Sequence, residues 1–277
     1  MVHNEFVFEG DGGIELWGQN WLPEGQSRAV FAIVHGLGEH SGRYMNLLEP
    51  LTGAGLEIWS YDLRGHGHSA GRRGHIRHWS EYHNDLDRFL NYIRADQPGL
   101  PVFLYGHSLG TLIVAEYVLR DSPSLAGVIL SGTATDPVGV ATPALIAIAR
   151  SLSRIWPSFT LASGLDTNAL SRDPQVVQAY VQDPMVHDRA TPRFATESLA
   201  AIDFIKAHSA DFALPLLLVH GSNDALSDVG GAQEFYDAAQ CPDKELWILP
   251  DRYHEAHNDY GCEKYLTDLR EWVVKRI

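Results

Sequence analysis

Short apolar runs alternate with longer stretches of helical spacing along the first half of the chain. Ala29–Val34 ends at His35-Gly36, Leu56–Tyr61 ends at Asp62, Pro101–Tyr105 ends at Gly106, and Gly127–Leu130 is a fourth such run. Apolar runs of about four to eight residues bounded by turn formers read as strands buried on both faces. Between them Tyr44–Ala54, Trp79–Ala95 and Leu109–Arg120 read as helices. Strand, helix, strand in this rhythm predicts right-handed crossovers and a parallel sheet. Ahead of it, Phe6-Val7-Phe8 and Ile14–Leu22 predict a hairpin around Gly10-Asp11-Gly12-Gly13.

The alternation stops between about Thr133 and Ala213, where six prolines, at 137, 143, 157, 174, 184 and 192, punctuate short helical pieces. It resumes with the strand Leu214–Val219, a helix near Gly231–Ala239, the strand Lys244–Leu249 and a last helix near Tyr260–Lys275. We read one domain: a core of residues 1–132 and 214–277 with a helical cap, residues 133–213, inserted in it. Within the cap, Leu145, Ile146, Ile148, Ala149, Leu152, Ile155 and Trp156 recur at near-helical spacing, with Arg150 and Arg154 among them. That pattern predicts a helix burying one face on the sheet, and a flank left exposed would form an apolar lip able to touch lipid aggregates.

Composition narrows the function classes. The chain has 277 residues, 45% of them hydrophobic, and a formal net charge of −14. An acidic surface of this kind repels phosphate backbones and anionic lipid, so no nucleic-acid partner is expected. The first residues carry neither a basic patch nor an apolar run, and no segment is apolar for long enough to cross a bilayer. Cys241 and Cys262 are too few for a disulfide framework and read as reduced thiols, with a single bond between them left open. The 14 histidines include His66, His68, His75, His78 and His83. Their spacing around glycines gives no rigid ligand pair, so no metal is expected.

The chemistry concentrates where strands end. Pro101–Tyr105 leads into Gly106-His107-Ser108-Leu109-Gly110 and then a helix. A Gly-x-Ser-x-Gly on a strand-to-helix turn projects a serine from the sheet edge as a nucleophile, and the glycines remove side chains that would collide there. In this class of hydrolase the acid and the histidine follow in chain order. Asp224 lies just past the strand Leu214–Val219; Asp228, four residues on, suits a helix cap better. His254 follows the strand Lys244–Leu249 and is the expected general base, with His257 its competitor. The oxyanion hole needs two backbone N–H groups, assigned to Leu109 and, in the loop His35-Gly36-Leu37-Gly38, to Leu37. The fold class expected is α/β: an α/β-hydrolase fold with a mostly parallel central sheet flanked by helices and a helical cap.

The same segments resemble the monoacylglycerol lipase family, within the lysophospholipase-like and serine aminopeptidase-like group of α/β-hydrolases. The resemblance lies in His35-Gly36-Leu37-Gly38-Glu39-His40-Ser41-Gly42-Arg43-Tyr44, Asp62-Leu63-Arg64-Gly65-His66-Gly67-His68-Ser69, Gly106–Gly110, His220–Asp224 and Tyr253-His254-Glu255. In the cap it lies in Leu170-Ser171-Arg172-Asp173-Pro174 and Tyr180-Val181-Gln182-Asp183-Pro184. It implies a cytoplasmic or membrane-peripheral serine esterase that releases a fatty acid from a monoacylglycerol, a small-molecule lipid ester, without a cofactor. It also implies that Arg43, His107 and Tyr180 line the polar end of the substrate site; their other readings are a helix start, a packed turn and a cap aromatic. Lysophospholipid or general short-to-medium esters are alternative substrates. A peptidase would need a carboxylate for an α-amino group, for which no dedicated residue is evident. A non-catalytic binding protein is disfavoured by five chemically competent catalytic positions.

Overall fold

The computed structural model describes residues 1–139 and 142–277. The chain opens with the antiparallel pair β1 (Val2–Glu9) and β2 (Glu15–Leu22). It continues through β3 (Ala29–Val34), α1 (Met45–Thr52), β4 (Leu56–Tyr61), α2 (Ser80–Asp96), β5 (Val102–His107), α3 (Leu109–Asp121) and β6 (Gly127–Ser131). The segment between β6 and the next sheet strand holds α4 (Pro143–Ile155), β7 (Leu161–Ala162), α5 (Pro174–Gln182), β8 (Arg189–Ala190) and α6 (Pro192–His208). Within it Val140 and Ala141 lie outside the described residues. The chain closes with β9 (Leu216–Gly221), α7 (Val229–Ala238), β10 (Lys244–Leu249) and α8 (Cys262–Val274).

The eight long strands form one sheet in the order β1-β2-β4-β3-β5-β6-β9-β10. It is antiparallel only at β1–β2 and β2–β4; every other pairing is parallel. Alternation along the strands sorts the core into two layers. Val30, Ala32, Leu104, Leu216 and Leu218 pack beneath α2, α3 and α7, whereas Phe31, Ile33, Phe103, Leu217 and Val219 pack against α1 and α8. Helix α3 is sandwiched between the sheet and α2 and α6, which is why Leu109–Val118 is buried on every side.

Three elements differ from the pattern-based reading. The helix expected to bury one face on the sheet, α4, packs on α6 instead and buries only Ser153, because α6 lies between it and the core helix α3. The first strand begins at Val2 rather than Phe6, because an edge strand needs one hydrogen-bonded neighbour and most of its side chains stay in water; only Phe8 is buried. The cap holds a two-residue ladder, β7 with β8, too short to carry any periodicity. The cap prolines are helix starts more than breaks. Pro143, Pro174 and Pro192 each open a helix behind a capping residue. Thr142, Asp173 and Thr191 accept hydrogen bonds there from Leu145, Gln175 and Phe194 N–H groups.

Candidate active site

Ser108 stands on the turn between β5 and α3 with φ 51° and ψ −119°, a backbone region that L-residues avoid. The turn is held by Ser108 N–H donating to the Ser131 carbonyl at 3.0 Å and by the Thr111 hydroxyl donating to the Ser108 carbonyl at 2.6 Å. A side chain at Gly106 would meet the Gly110 carbonyl, and one at Gly110 would collide with the Val34 carbonyl on β3. Both glycines are therefore required by the closeness of the backbones.

Asp224 and His254 come from the ends of neighbouring strands, β9 and β10. The Asp224 carboxylate accepts from His254 Nδ1 at 2.7 Å. Its other oxygen accepts from the N–H groups of Leu226 at 2.8 Å and Ser227 at 3.1 Å, while His220 Nε2 lies 3.2 Å from the oxygen that meets His254. Burial alone would raise this carboxyl, but His254 and the donors around it hold it far below the usual carboxylate range. Burial opposes a charge on His254, yet the adjacent Asp224 outweighs it and raises the imidazole above its ordinary value. With Nδ1 committed, His254 Nε2 has no hydrogen-bond partner among the described residues, and His254 and Ser108 border the same cavity. Asp228 caps α7 through the Gly230 N–H at 2.7 Å. His257 is stacked on Tyr44 at 4.8 Å, fully buried, and burial lowers it to about 4.

The loop after β3 folds onto Ser108: a Cβ at Gly36 would lie 3.0 Å from the Ser108 Cβ. Glu39 braces it from within, accepting from Gly36 N–H at 2.6 Å and from the Tyr44 hydroxyl at 2.7 Å. His35 donates from Nδ1 to the Gly36 carbonyl and accepts at Nε2 from Leu63 N–H. The N–H groups of Leu37 and Leu109 meet no acceptor among the described residues, and both side chains line the cavity. Two free backbone donors beside a serine form a site suited to a developing oxyanion.

The cavity has a volume of about 270 Å³ and mainly apolar walls. Leu112 of α3, Leu145 and Ile146 of α4, and Phe194, Leu199 and Ile202 of α6 supply much of that lining. Arg43, His107 and Tyr180 do not border it. Arg43 is buried between Glu39, 3.2 Å away, and both carboxylate oxygens of Glu255, at 2.7 and 2.8 Å, with the Tyr180 ring over its guanidinium at 4.6 Å. The Tyr180 hydroxyl lies beside Gly38 of the loop after β3. His107 donates from Nδ1 to the Ser131 carbonyl and packs against His254 at 4.9 Å.

Sequence reasoning missed Glu39, Glu255, Asp259 and Arg172, which brace the site. Their pairing spans up to 212 residues of chain, as between Arg43 and Glu255, and leaves no local pattern; an acid inside the glycine-rich loop at 36–42 was the one signal. Cys241 and Cys262 are free thiols. No cluster of His, Cys, Asp or Glu among the described residues is arranged to hold a metal, and no helix among them is long and apolar enough to cross a membrane.

A parallel sheet, a serine elbow after the fifth strand, and an acid and a histidine after later strands define an α/β-hydrolase. Residues 25–261 match the family model described as serine aminopeptidase, S33. The chain is 34% identical to the monoacylglycerol lipase of Mycolicibacterium smegmatis, covering all of this chain and 99% of that one. It is 31% identical to the human monoglyceride lipase, over 95% of this chain and 88% of the relative. The crystal structure of Paleococcus ferrophilus monoacylglycerol lipase superposes with a TM-score of 0.87 at 32% identity, over 95% of this chain and 99% of that one. The chain belongs to the monoacylglycerol lipase family of the α/β-hydrolase superfamily.

Proposed function

We propose that this protein hydrolyses monoacylglycerols to a fatty acid and glycerol through an acyl-enzyme on Ser108. The observation that carries the reading is the 2.7 Å contact between Asp224 and His254 Nδ1, with the unpartnered Nε2 and Ser108 on one apolar cavity. His254 takes the Ser108 proton as Oγ attacks the ester carbonyl, and Asp224 holds its tautomer and stabilises the imidazolium. The N–H groups of Leu37 and Leu109 stabilise the oxyanion. The imidazolium then protonates the leaving alcohol, and water releases the acid by the reverse sequence. No cofactor enters these steps.

Substrate choice follows from size and polarity. A cavity of about 270 Å³ with mainly apolar walls suits a single acyl chain better than two. The residues expected at the polar end do not hold the glycerol: Arg43 is committed to Glu39 and Glu255, His107 to the Ser131 carbonyl, and neither they nor Tyr180 border the cavity. We read residues 133–213 as the cap over this site. Ile148, Ile155 and Trp156 on and beside α4 are exposed, which suits transient contact with lipid aggregates as a membrane-peripheral enzyme.

The test is kcat/KM for monoacyl-, diacyl- and triacylglycerols, lysophospholipid and short nitrophenyl esters at matched acyl length in detergent. Monoacylglycerol should lead, diacylglycerol should be poor and triacylglycerol nearly inert. Equal rates on triacylglycerol would overturn the one-chain cavity, and a large lead for lysophospholipid would change the substrate.

A further inference from the structure

Two stretches of the cap stand out in the sequence and touch little of the cavity: 170–174 and 180–184. Each grips a different catalytic loop. The first lies along the loop bearing His254. The Ala169 and Leu170 carbonyls accept from the N–H groups of His254 at 3.3 Å and Glu255 at 2.8 Å. The Ser171 hydroxyl donates to the Asn258 carbonyl at 3.0 Å. Arg172 Nε reaches both oxygens of the buried Asp259 at 3.1 and 3.0 Å, and its Nη2 donates to the Tyr260 carbonyl at 2.9 Å. Asp259 in turn accepts from the N–H of Tyr253, the residue before His254, at 3.0 Å.

The second stretch lies along the oxyanion loop. His187 N–H donates to the Gly38 carbonyl at 2.8 Å. A side chain at Gly38, where φ is +81°, would collide with the His187 carbonyl. Asp183 accepts from His40 Nε2 at 2.9 Å, and His40 Nδ1 accepts from Gly42 N–H, which fixes that tautomer. The other Asp183 oxygen accepts from Met185 N–H at 2.8 Å, closing the turn that brings His187 to Gly38.

From this pairing we infer that the cap supplies positioning residues for the chemistry: Arg172 sets the loop that carries His254, and Asp183 sets the loop that carries the Leu37 N–H. The inference rests on the triad reading above. Neither residue touches the reacting atoms. Both act by holding groups whose misplacement by about 1 Å costs on the order of a hundredfold in rate.

Arg172→Ala, Arg172→Lys, Asp183→Ala and Asp183→Asn are assayed on nitrophenyl acetate, whose acyl group is too short to need the apolar walls. Rates are normalised to sites titrated with a fluorophosphonate. Asp183→Ala should lower kcat per titrated site roughly 10- to 100-fold with KM little changed. Its affinity for a boronic acid, which forms a tetrahedral adduct on the serine, should weaken in parallel, with the acid limb of the pH profile unmoved. Arg172→Ala should lower kcat comparably and move the acid limb to lower pH, because His254 loses alignment with Asp224. The other charged or titratable neighbours of that imidazole are Glu39, Glu255, His107 and His257, and none is altered. Asp183→Asn keeps an oxygen for His40 and Arg172→Lys keeps the charge, so both should recover part of the loss. They carry the test if the alanine variants do not fold.

Unchanged kcat per site in the folded variants would overturn the inference. So would a loss carried by KM alone, or fewer titratable sites with normal kcat in each, which marks a purely structural role. Failure of the wild type to label at Ser108 would overturn the catalytic reading itself, a distinct result.

Discussion

The two halves of the cap are built on opposite principles. Residues 143–165 present α4 with Leu145, Ile148, Ile155 and Trp156 in water, the last two 82% and 59% exposed. The polar side-chain ties of α4 to α6 are few, such as the Ser153–Thr196 hydroxyl pair and Arg193 to the Ser153 carbonyl. Residues 166–190 bury Leu170, Ser171 and Tyr180 and are tied to the oxyanion and His254 loops by charge-assisted and backbone hydrogen bonds. Apolar contact is non-directional and tolerates sliding, whereas hydrogen-bonded ion pairs fix a geometry. On the proposed reading, one insertion offers an adaptable wall to the substrate and a stiff brace to the chemistry.

The largest expected effects set the scale of the stiff side. Ser108→Ala should lower kcat by about three or more orders of magnitude in a folded protein; more than a tenth of the activity left would remove the nucleophile from this site. His254→Ala should match it while His257→Ala keeps most turnover, and the reverse ranking would transfer the base to His257. Next comes pH. Asp224 favours the imidazolium, which cannot accept a proton, so kcat/KM should fall as pH drops through one ionisation above the ordinary histidine value. A pH profile flat through that range would exclude His254 as the base.

Within the brace, Leu37→Pro removes one oxyanion donor and should cost about 2.7 to 4 kcal/mol in kcat. Leu37→Ala keeps the donor and should retain measurable chemistry. Near-normal kcat in the proline variant, with its folded structure determined, would place the donor elsewhere. The adaptable side should give the smallest effect. Ile148→Ser with Trp156→Ser should lower kcat/KM on aggregated monoacylglycerol by roughly fivefold through lost apolar contact, and less on dissolved esters. Equal losses on both would mean that α4 belongs to the braced part.

Much of this was legible because it is local. The runs at 29–34, 56–61 and 244–249 coincide with β3, β4 and β10 to the residue; β3 and β4 are buried at every position and mainly apolar, whereas the edge strand β10 is only partly buried. Gly106 and Gly110 signalled a turn whose backbone contacts exclude any side chain. Offset from a strand end distinguished Asp224 from Asp228, and the structure joins the first to His254 and gives the second to the cap of α7. Long-range charge pairing was not legible. Arg172 meets Asp259, and Arg43 meets Glu255, across 87 and 212 residues of chain, and neither partner differs in its neighbourhood from an ordinary solvated charge. The polar end was the least legible part, because a residue that braces a loop and one that binds glycerol share the same chemistry.

The backbone at Ser108 has a consequence for evolution. A residue held at φ 51° and ψ −119° costs on the order of 1–3 kcal/mol, which the surrounding bonds must offset. Glycine reaches that region without strain. Ser108→Gly should therefore melt at a higher temperature than Ser108→Ala, and close to or above the natural protein. Folding, left to itself, would discard the serine; only turnover keeps it, so lineages that lost the need for catalysis would drift toward glycine at this one position.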